Sequence, residues 1–327
     1  MDTTAEDARR KAWSSYWAGG ALHSCVDSYE GNYAGVIAGF WKSRFQSLQP
    51  GSRVLDLATG NGALPLLLWQ CTEGRHGIRT DAVDLAQVAP AWYEAASQPG
   101  ISFHSGVTME QLPFPDSTFD LVVSQYGLEY ARWPEALHES MRVGKPQGSA
   151  AFVMHHSDSL LVRVGRQELK SQMLLLEEGG LLDAARDVMP WIALARDGAA
   201  SLQGNSNAAD CKQHYNLAMN QVALEIEASS VPDLLIETRA WVHGLLTGIG
   251  TEGAEPQLSM LAGHRQAVEA AALRTAELVE HAIDEEQING LLEVFSAARP
   301  FHQLSCEPIV QEEGILGWGI AMQPDTR

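Results

Sequence analysis

The segment that most constrains the fold is an apolar run ending in a glycine-rich turn, Val54–Gly62. It reads Val-Leu-Asp-Leu-Ala-Thr-Gly-Asn-Gly, and the helical pattern Ala63–Gln70 follows it directly. A glycine turn between a strand and a helix lets a ligand approach the backbone, and the first turn of the helix presents free N–H groups. The segment therefore predicts an α/β fold that binds a ligand at the end of this strand.

Strand-like and helical patterns alternate between residue 51 and about residue 156. This alternation is typical of βαβ units, and the continuous apolar or β-branched runs indicate strands buried on both faces. We therefore expect a doubly wound, mostly parallel sheet. The predicted strands are Val54–Leu57, Thr80–Val83, Ile101–His104, Leu121–Ser124 and Ala150–His155.

Three other regions complete the predicted organisation. Residues 1–50 are rich in aromatic side chains and are expected to form a helical lid. Residues 157–299 are expected to form a helical cap of about five helices that shapes a substrate pocket, dimerises, or does both. His302–Gln311 and Ile315–Met322 predict a hairpin, so that residues 51–156 and 300–327 together form the α/β domain. Helix breaks are expected at Gly179-Gly180, Pro190, Gly198, Pro232 and Gly248–Pro256.

Asp56 favours one class of ligand over another. Its carboxylate, four residues before Gly60, would repel a pyrophosphate but attract a cation such as the α-ammonium of S-adenosylmethionine. Asp84 ends the second strand, where an acidic side chain accepts hydrogen bonds from a ribose diol. NAD and S-adenosylmethionine would both use Asp84, but only the second explains Asp56. Gly60, Gly62 and Pro65 also leave the dinucleotide pattern G-x-G-x-x-G incomplete.

Residues 50–156, about a third of the chain, resemble the class I S-adenosylmethionine-dependent methyltransferases of the small-molecule, ubiquinone-biosynthesis type. Four motifs in the family's order carry the resemblance: Val54–Gly62, Asp84-Leu85, Leu112–Val123 and Arg142–Gly148. The resemblance implies a Rossmann-like methyltransferase fold and S-adenosylmethionine as cofactor. It also implies methyl transfer to an O, N or C atom of a small organic molecule, which gives S-adenosylhomocysteine and requires no metal.

The resemblance also implies roles for individual residues. Asp56 and the backbone of the turn would hold the methionine end of the cofactor, Asp84 the ribose, and Leu85 and Thr108-Met109 the adenine. An acidic residue often contacts the adenine amino group where this chain has Thr108. The cofactor-binding residues so implied are Asp56, Ala58, Gly60, Asn61, Gly62, Asp84, Leu85, Thr108, Met109 and Gln125.

Candidates for the substrate and the chemistry lie after the fourth and fifth strands and in the N-terminal region. His155 closes the fifth strand at the ligand edge of the sheet, where it would act as a base or pack in the core. Glu129 would bind a substrate group or make a buried structural hydrogen bond. The N-terminal aromatic candidates Tyr16, Trp17 and Tyr33 would stack on ligand or pack on the domain. The resemblance implies that Tyr126, next to Gln125, lines the route between cofactor and substrate.

The charge balance narrows the partners. With 41 acidic against 22 basic residues the net charge is −19, which disfavours nucleic acid and anionic membrane surfaces. A small-molecule substrate, a cytoplasmic location and a possible homodimer are expected. The rival interpretations are an RNA or protein methyltransferase, a non-catalytic S-adenosylmethionine-binding regulatory module and, third, an NAD-dependent oxidoreductase. No metal site is indicated, because the four cysteines are widely spaced: Cys25, Cys71, Cys211 and Cys306.

Overall fold

The computed structural model describes residues 3–25, 29, 31–74, 77–198 and 205–325. The chain divides into two compact units, one of Met1–Arg163 with Glu277–Arg327 and the other of Val164–Ala276. In chain order the elements are α1 (Thr3–Ala18), α2 (Gly35–Phe45), β1 (Arg53–Leu57), α3 (Ala63–Thr72), β2 (Arg79–Asp84), β3 (Ile101–Ser105), β4 (Phe119–Gln125), a 3-10 turn (Leu128–Tyr130), α4 (Trp133–Val143), β5 (Gly144–Met154), α5 (Leu160–Leu176), α6 (Leu181–Arg196), α7 (Ser206–Ala228), α8 (Asp233–Thr247), α9 (Glu255–His281), α10 (Glu285–Ala298), β6 (His302–Gln311) and β7 (Gly314–Pro324).

The seven strands form one sheet in the order β3-β2-β1-β4-β5-β7-β6. The first five run parallel, whereas β7 pairs antiparallel with both β5 and β6. The predicted doubly wound α/β sheet with a C-terminal hairpin is confirmed. The chain runs outward from β1 to β2 and β3 and then returns to place β4 on the other side of β1. Because the strand order reverses between β1 and β4, a crevice opens at the carboxyl ends of these strands.

Helices cover both faces of the sheet, which explains the apolar strand sequences. Leu55 on β1 belongs to a core cluster that also contains Leu137 of α4 and Phe295 of α10. Its neighbour Val54 belongs to a second cluster with Trp41 of α2. Alternate residues of β1 therefore point to opposite faces of the sheet, and both faces are buried.

The fifth strand differs from its predicted bounds. It begins at Gly144 and ends at Met154, so the motif Arg142–Gly148 covers the end of α4 and the start of β5. The pairing with β4 shifts register between Phe119 and Leu121. The residues Lys-Pro-Gln-Gly at 145–148, which are typical of a turn, therefore lie inside β5, where they form an irregularity in the strand.

The region 158–299 contains six described helices where five were predicted. Pro190, expected to break a helix, lies inside α6, where the burial of neighbours such as Val188 and Met189 outweighs the cost of proline. A break that carries neither glycine nor proline separates α9 from α10. There Asp284 caps α10 through a reciprocal capping box with Gln287.

The second unit, Val164–Ala276, has its own hydrophobic core. Five helices each contribute at least one buried side chain to it: Leu175, Val188, Val222, Val242 and Val268. The unit is shorter at both ends than residues 157–299, because the first turn of α5, the last turn of α9 and all of α10 belong to the first unit. Among the described helices, none is long and apolar enough to cross a membrane.

Candidate active site

A cavity of about 290 Å³ lies in the first unit where the strand order reverses. Residues at and after the carboxyl ends of β1, β2 and β4 line it together with residues of α1, as expected for a ligand site in an open α/β sheet. The lining residues that matter for the chemistry are Arg9, Trp13, Trp17, Tyr33, Asp56, Ala58, Asp84, Leu85, Thr108, Met109, Gln125, Tyr126, Tyr130 and Glu277.

Two of the strand ends are held in unusual backbone conformations. Ala58, just after β1, has φ 54°, and Tyr126, just after β4, has φ 53°. Gly127 lies so close that a Cβ on it would collide with the Cβ of Ala58. Left-handed conformations at non-glycine residues are costly and concentrate at functional sites. Here they turn the two chain segments at the crevice, and both residues line the cavity.

The glycine turn holds the N-terminal segment in place. Gly60 has φ 53°, and a Cβ on it would meet the ring of Trp17 at 2.5 Å. The side-chain Nδ2 of Asn61 donates to the carbonyl oxygens of Trp17 and Ala21, each at 2.8 Å. The absence of a side chain at 60 and the amide at 61 together fix the end of α1 against the turn.

Asp56 is a buried carboxylate beside the cavity. Its Oδ2 atom has no hydrogen-bond partner among the described residues. Burial raises the pKa of Asp56 to about 8; the hydroxyl of Thr59 lowers it and the charge of Asp84 raises it further. A buried acceptor that lacks a donor is unfavourable unless a ligand supplies one.

Asp84 is oriented by the backbone around it. Its Oδ2 accepts from the N–H of Gly60 and its Oδ1 from the N–H of Ala86, each at 2.8 Å. Burial raises the pKa of Asp84 to about 6, against the lowering effect of these two hydrogen bonds. Each carboxylate oxygen keeps further acceptor capacity, so the residue has lone pairs for a diol.

Gln125, the last residue of β4, supplies the complementary donor. Its Oε1 accepts from the indole N–H of Trp41 at 2.5 Å. An indole nitrogen only donates, which fixes the orientation of the amide. The Nε2 atom of Gln125 is then left buried and without an acceptor among the described residues.

These groups fit S-adenosylmethionine. The unpaired acceptor on Asp56 suits an ammonium group, the unpaired donor on Gln125 suits a carboxylate, and Asp84 suits the ribose hydroxyls. The three residues surround one cavity, so a single ligand that joins an amino acid to a nucleoside satisfies them together.

The predicted cofactor residues divide into two groups. Those that line the cavity are Asp56, Ala58, Asp84, Leu85, Thr108, Met109 and Gln125. Gly60, Asn61 and Gly62 are not among its lining residues in the described part of the chain. A Cβ on Gly62 would meet the ring of Phe103 at 2.6 Å, so this glycine allows an aromatic ring to pack against the turn.

The predicted substrate and catalytic residues also divide. Trp17, Tyr33 and Tyr126 line the cavity. Tyr16, whose hydroxyl donates to the carbonyl of His23 at 3.0 Å, is absent from the described lining, as are Glu129 and His155.

Glu129 and His155 form a buried pair behind the cavity wall. Glu129 Oε1 lies 2.6 Å from His155 Nδ1 and accepts from the His155 backbone N–H at 2.7 Å. The imidazole stacks on the ring of Tyr126 with centroids 4.3 Å apart and meets Tyr130 edge-on at 5.9 Å. The pair thus supports two tyrosines that do line the cavity.

Four further residues line the cavity although little in the sequence predicts it: Arg9, Trp13, Tyr130 and Glu277. Arg9 Nε lies 2.5 Å from Glu277 Oε1, and its Nη1 donates to the carbonyl of Tyr130 at 3.1 Å. The spacing of four residues between Arg9, Trp13 and Trp17 is a helical signal that places them on one face of α1. No local pattern predicts the contact with Glu277, which is 268 residues away.

Part of the chain is similar to known methyltransferases. Residues 55–152 match a family described as a methyltransferase domain. Over 136 residues the chain is 33% identical to the 2-phytyl-1,4-naphtoquinone methyltransferase of Synechococcus elongatus, covering 39% of this chain and 58% of the relative. It is 32% identical over 116 residues to the ubiquinone/menaquinone biosynthesis C-methyltransferase UbiE of Xanthomonas oryzae pv. oryzae, covering 34% of this chain and 46% of the relative.

The chain thus spans about half the length of the curated relatives that it matches. Among solved structures, a SAM dependent methyltransferase from Aquifex aeolicus shares 20% identity at a TM-score of 0.36, over 45% of this chain and 74% of the other. The family match confirms the resemblance inferred from the four motifs.

Proposed function

We propose that this chain, whose residues 55–152 form a class I S-adenosylmethionine-dependent methyltransferase domain, is an enzyme that methylates a small molecule with an oxygen-bearing aromatic ring. The observation that carries the proposal is the set of Asp56, Asp84 and Gln125 around one cavity, with unpaired groups that match the cofactor.

The chemistry needs little from the protein beyond binding and alignment. When bound, S-adenosylmethionine supplies a sulfonium-activated methyl group: the acceptor atom bonds to the methyl carbon as the carbon–sulfur bond breaks, which leaves S-adenosylhomocysteine and a proton from the acceptor. Asp56 and Gln125 would hold the amino-acid end, and Asp84 the ribose. The enclosing residues of α1 would exclude water and hold the two reactants in line.

The shape of the cavity supports a ring-containing acceptor. Trp13, Tyr33, Tyr126 and Tyr130 contribute aromatic surface to its wall. One relative above is named as the methyltransferase of a naphthoquinone and the other as a C-methyltransferase of ubiquinone/menaquinone biosynthesis. Rings of this kind stack favourably on aromatic side chains. We propose that the Glu129–His155 pair positions Tyr126 and Tyr130 and does not itself touch the acceptor.

Rival functions make different demands on the same site. An RNA methyltransferase must neutralise phosphates, which the net charge of −19 disfavours. A protein methyltransferase must admit a peptide side chain. A regulatory module would bind the cofactor without turnover, whereas an NAD-dependent oxidoreductase has no use for the unpaired carboxylate oxygen of Asp56.

The proposal is tested by incubating the protein with S-adenosylmethionine and candidate acceptors under reducing conditions. The panel contains naphthohydroquinones and benzohydroquinones with and without isoprenoid chains, a mixed RNA and a histone-type peptide. We expect S-adenosylhomocysteine to form with at least one hydroquinone. Cofactor binding without turnover of any acceptor would support the regulatory module instead, and turnover of RNA or peptide alone would contradict the assigned substrate class.

A further inference from the structure

Two tyrosines four residues apart line the cavity after β4, and their hydroxyl groups are in different situations. The Tyr126 hydroxyl donates to the carbonyl oxygen of Leu316 at 3.1 Å. The described contacts of Tyr130 are made by its ring and by its backbone carbonyl, and the residue lines the cavity. Its hydroxyl is therefore available to a ligand in the cavity.

The ring of Tyr130 is held on several sides. Its centroid lies 6.2 Å from that of Trp13 at 76°, 5.9 Å from that of His155 at 86° and 5.5 Å from that of His281 at 56°. The backbone is fixed as well, because the carbonyl of Tyr130 accepts from Arg9. A side chain packed in this way presents its hydroxyl at a defined position, as a binding group requires.

The surroundings keep this hydroxyl protonated. Burial and the carboxylates of Glu129 and Glu277 raise the pKa of Tyr130 well above its usual range, while Arg9 acts in the opposite direction. A neutral phenol donates its proton to an acceptor atom, and an oxygen that carries negative charge is the strongest such partner.

The cofactor leaves this donor free. Its amino-acid end and ribose are matched by Asp56, Gln125 and Asp84. Tyr130 follows β4 on the 3-10 turn, on the part of the wall that also contains Arg9 and Glu277. A donor placed there is available to the second reactant.

We infer that Tyr130 is a catalytic residue that donates a hydrogen bond to a ring oxygen of the methyl acceptor. This inference rests on the proposed function. A hydroxyl-bearing ring becomes a better nucleophile when its hydroxyl loses a proton, which passes to solvent water, and the oxygen is left with a negative charge. The hydrogen bond from Tyr130 stabilises this charge, so a larger fraction of the bound acceptor is ionised and ready to attack the methyl group.

The test compares Tyr130→Phe with the wild type, using the naphthohydroquinone or benzohydroquinone that the wild type methylates best. The phenyl ring keeps the contacts with Trp13, His155 and His281, so only the hydroxyl is lost. We expect kcat/KM for the acceptor to fall about tenfold or more, as for the loss of one hydrogen bond to a charged oxygen. The dissociation constant of S-adenosylhomocysteine is expected to change less than about twofold.

Tyr93→Phe is the matched control. The Tyr93 hydroxyl donates to the carbonyl of Ile101 at 2.6 Å, and the residue is not among the described lining of the cavity. Its loss is expected to leave kcat/KM unchanged. Wild-type turnover with equal kcat/KM in Tyr130→Phe would overturn this inference alone. Failure of the wild type to methylate any hydroquinone would overturn the proposed function and, with it, the inference.

Discussion

At the scale of single residues, the site is built at a cost to stability. Asp56 is buried with an unpaired oxygen, and burial raises its pKa to about 8 from an ordinary value of 3.8. Because the folded state binds the proton more tightly than the unfolded state, Asp56 contributes stability at low pH that is lost as the pH rises through about 8. A carboxylate kept under such conditions is explained by a ligand that needs it.

Cofactor binding is therefore expected to release protons. A bound ammonium group favours the ionised form of Asp56, so at pH 7 a side chain with a pKa of about 8 loses most of its proton on binding. Affinity for S-adenosylmethionine should rise between about pH 6 and pH 8, by at most about tenfold per pH unit. Calorimetry in two buffers with different ionisation enthalpies measures the release directly.

Asp56→Asn is the matched variant, because asparagine has nearly the same shape and does not titrate. We expect it to bind the cofactor more weakly, to abolish most of the proton release, and to unfold at a higher temperature than the ligand-free wild type near pH 8. Proton release that persists unchanged in Asp56→Asn would show that another group is responsible.

At the scale of elements, the glycine turn after β1 and helix α1 are attached to each other by packing and by hydrogen bonds. The packing of Trp17 on Gly60 and the two hydrogen bonds from Asn61 attach the end of α1 to the turn that follows β1. The pair of Arg9 and Glu277 attaches the same helix nearer its start, and the N–H of Gln87 donates to the Ser14 hydroxyl at 2.9 Å. We propose that α1 is a lid that closes the cavity through these contacts.

Gly60→Ala is expected to loosen this lid. The added Cβ strains a left-handed residue and displaces the ring of Trp17. We expect amide hydrogen exchange in α1 to accelerate and affinity for S-adenosylhomocysteine to fall about tenfold or more. Hydrogen exchange followed by mass spectrometry reports the first effect and calorimetry the second.

Gly51→Ala is the control that separates the backbone strain caused by Gly60→Ala from its displacement of the Trp17 ring. Gly51 also has a left-handed backbone, with φ 80°, but a Cβ there would meet no atom within 4 Å. The variant is expected to lose about 1 kcal/mol of folding stability and to keep its affinity and its exchange pattern in α1. Equal losses of affinity in both variants would mean that strain, rather than the displacement of Trp17, is the cause.

At the scale of the whole molecule, the sequence predicts the sheet better than the helices. The strands are signalled by continuous apolar runs, and β1 matches its predicted bounds to within one residue. Proline and glycine are less reliable guides to helix ends. Tertiary burial holds Pro190 inside α6, and the start of α10 is marked by a polar capping box without glycine or proline. The roles of the helical unit Val164–Ala276 as cap or dimer surface stay predictions.

For a related reason, the sequence predicts some residues of the candidate site and misses others. Asp56, Asp84 and Gln125 lie at strand ends, and the topology of a parallel sheet brings such ends together. Asn61 belongs to the motif, yet its side chain binds the N-terminal segment, which only the three-dimensional packing reveals. For the same reason the sequence does not predict that Tyr130 and Glu277 line the cavity, because their positions depend on contacts between distant parts of the chain.

The central claim is that Asp56 and Asp84 bind S-adenosylmethionine in this cavity. Calorimetric titration of Asp56→Ala and Asp84→Ala tests it most directly, with Asp81→Ala as control, because Asp81 lies on the same strand as Asp84 but pairs with Arg53 and His104. We predict that each of the first two variants folds and loses at least about tenfold in affinity, while Asp81→Ala binds as the wild type does. Unchanged affinity in both Asp56→Ala and Asp84→Ala would contradict the assignment of the site.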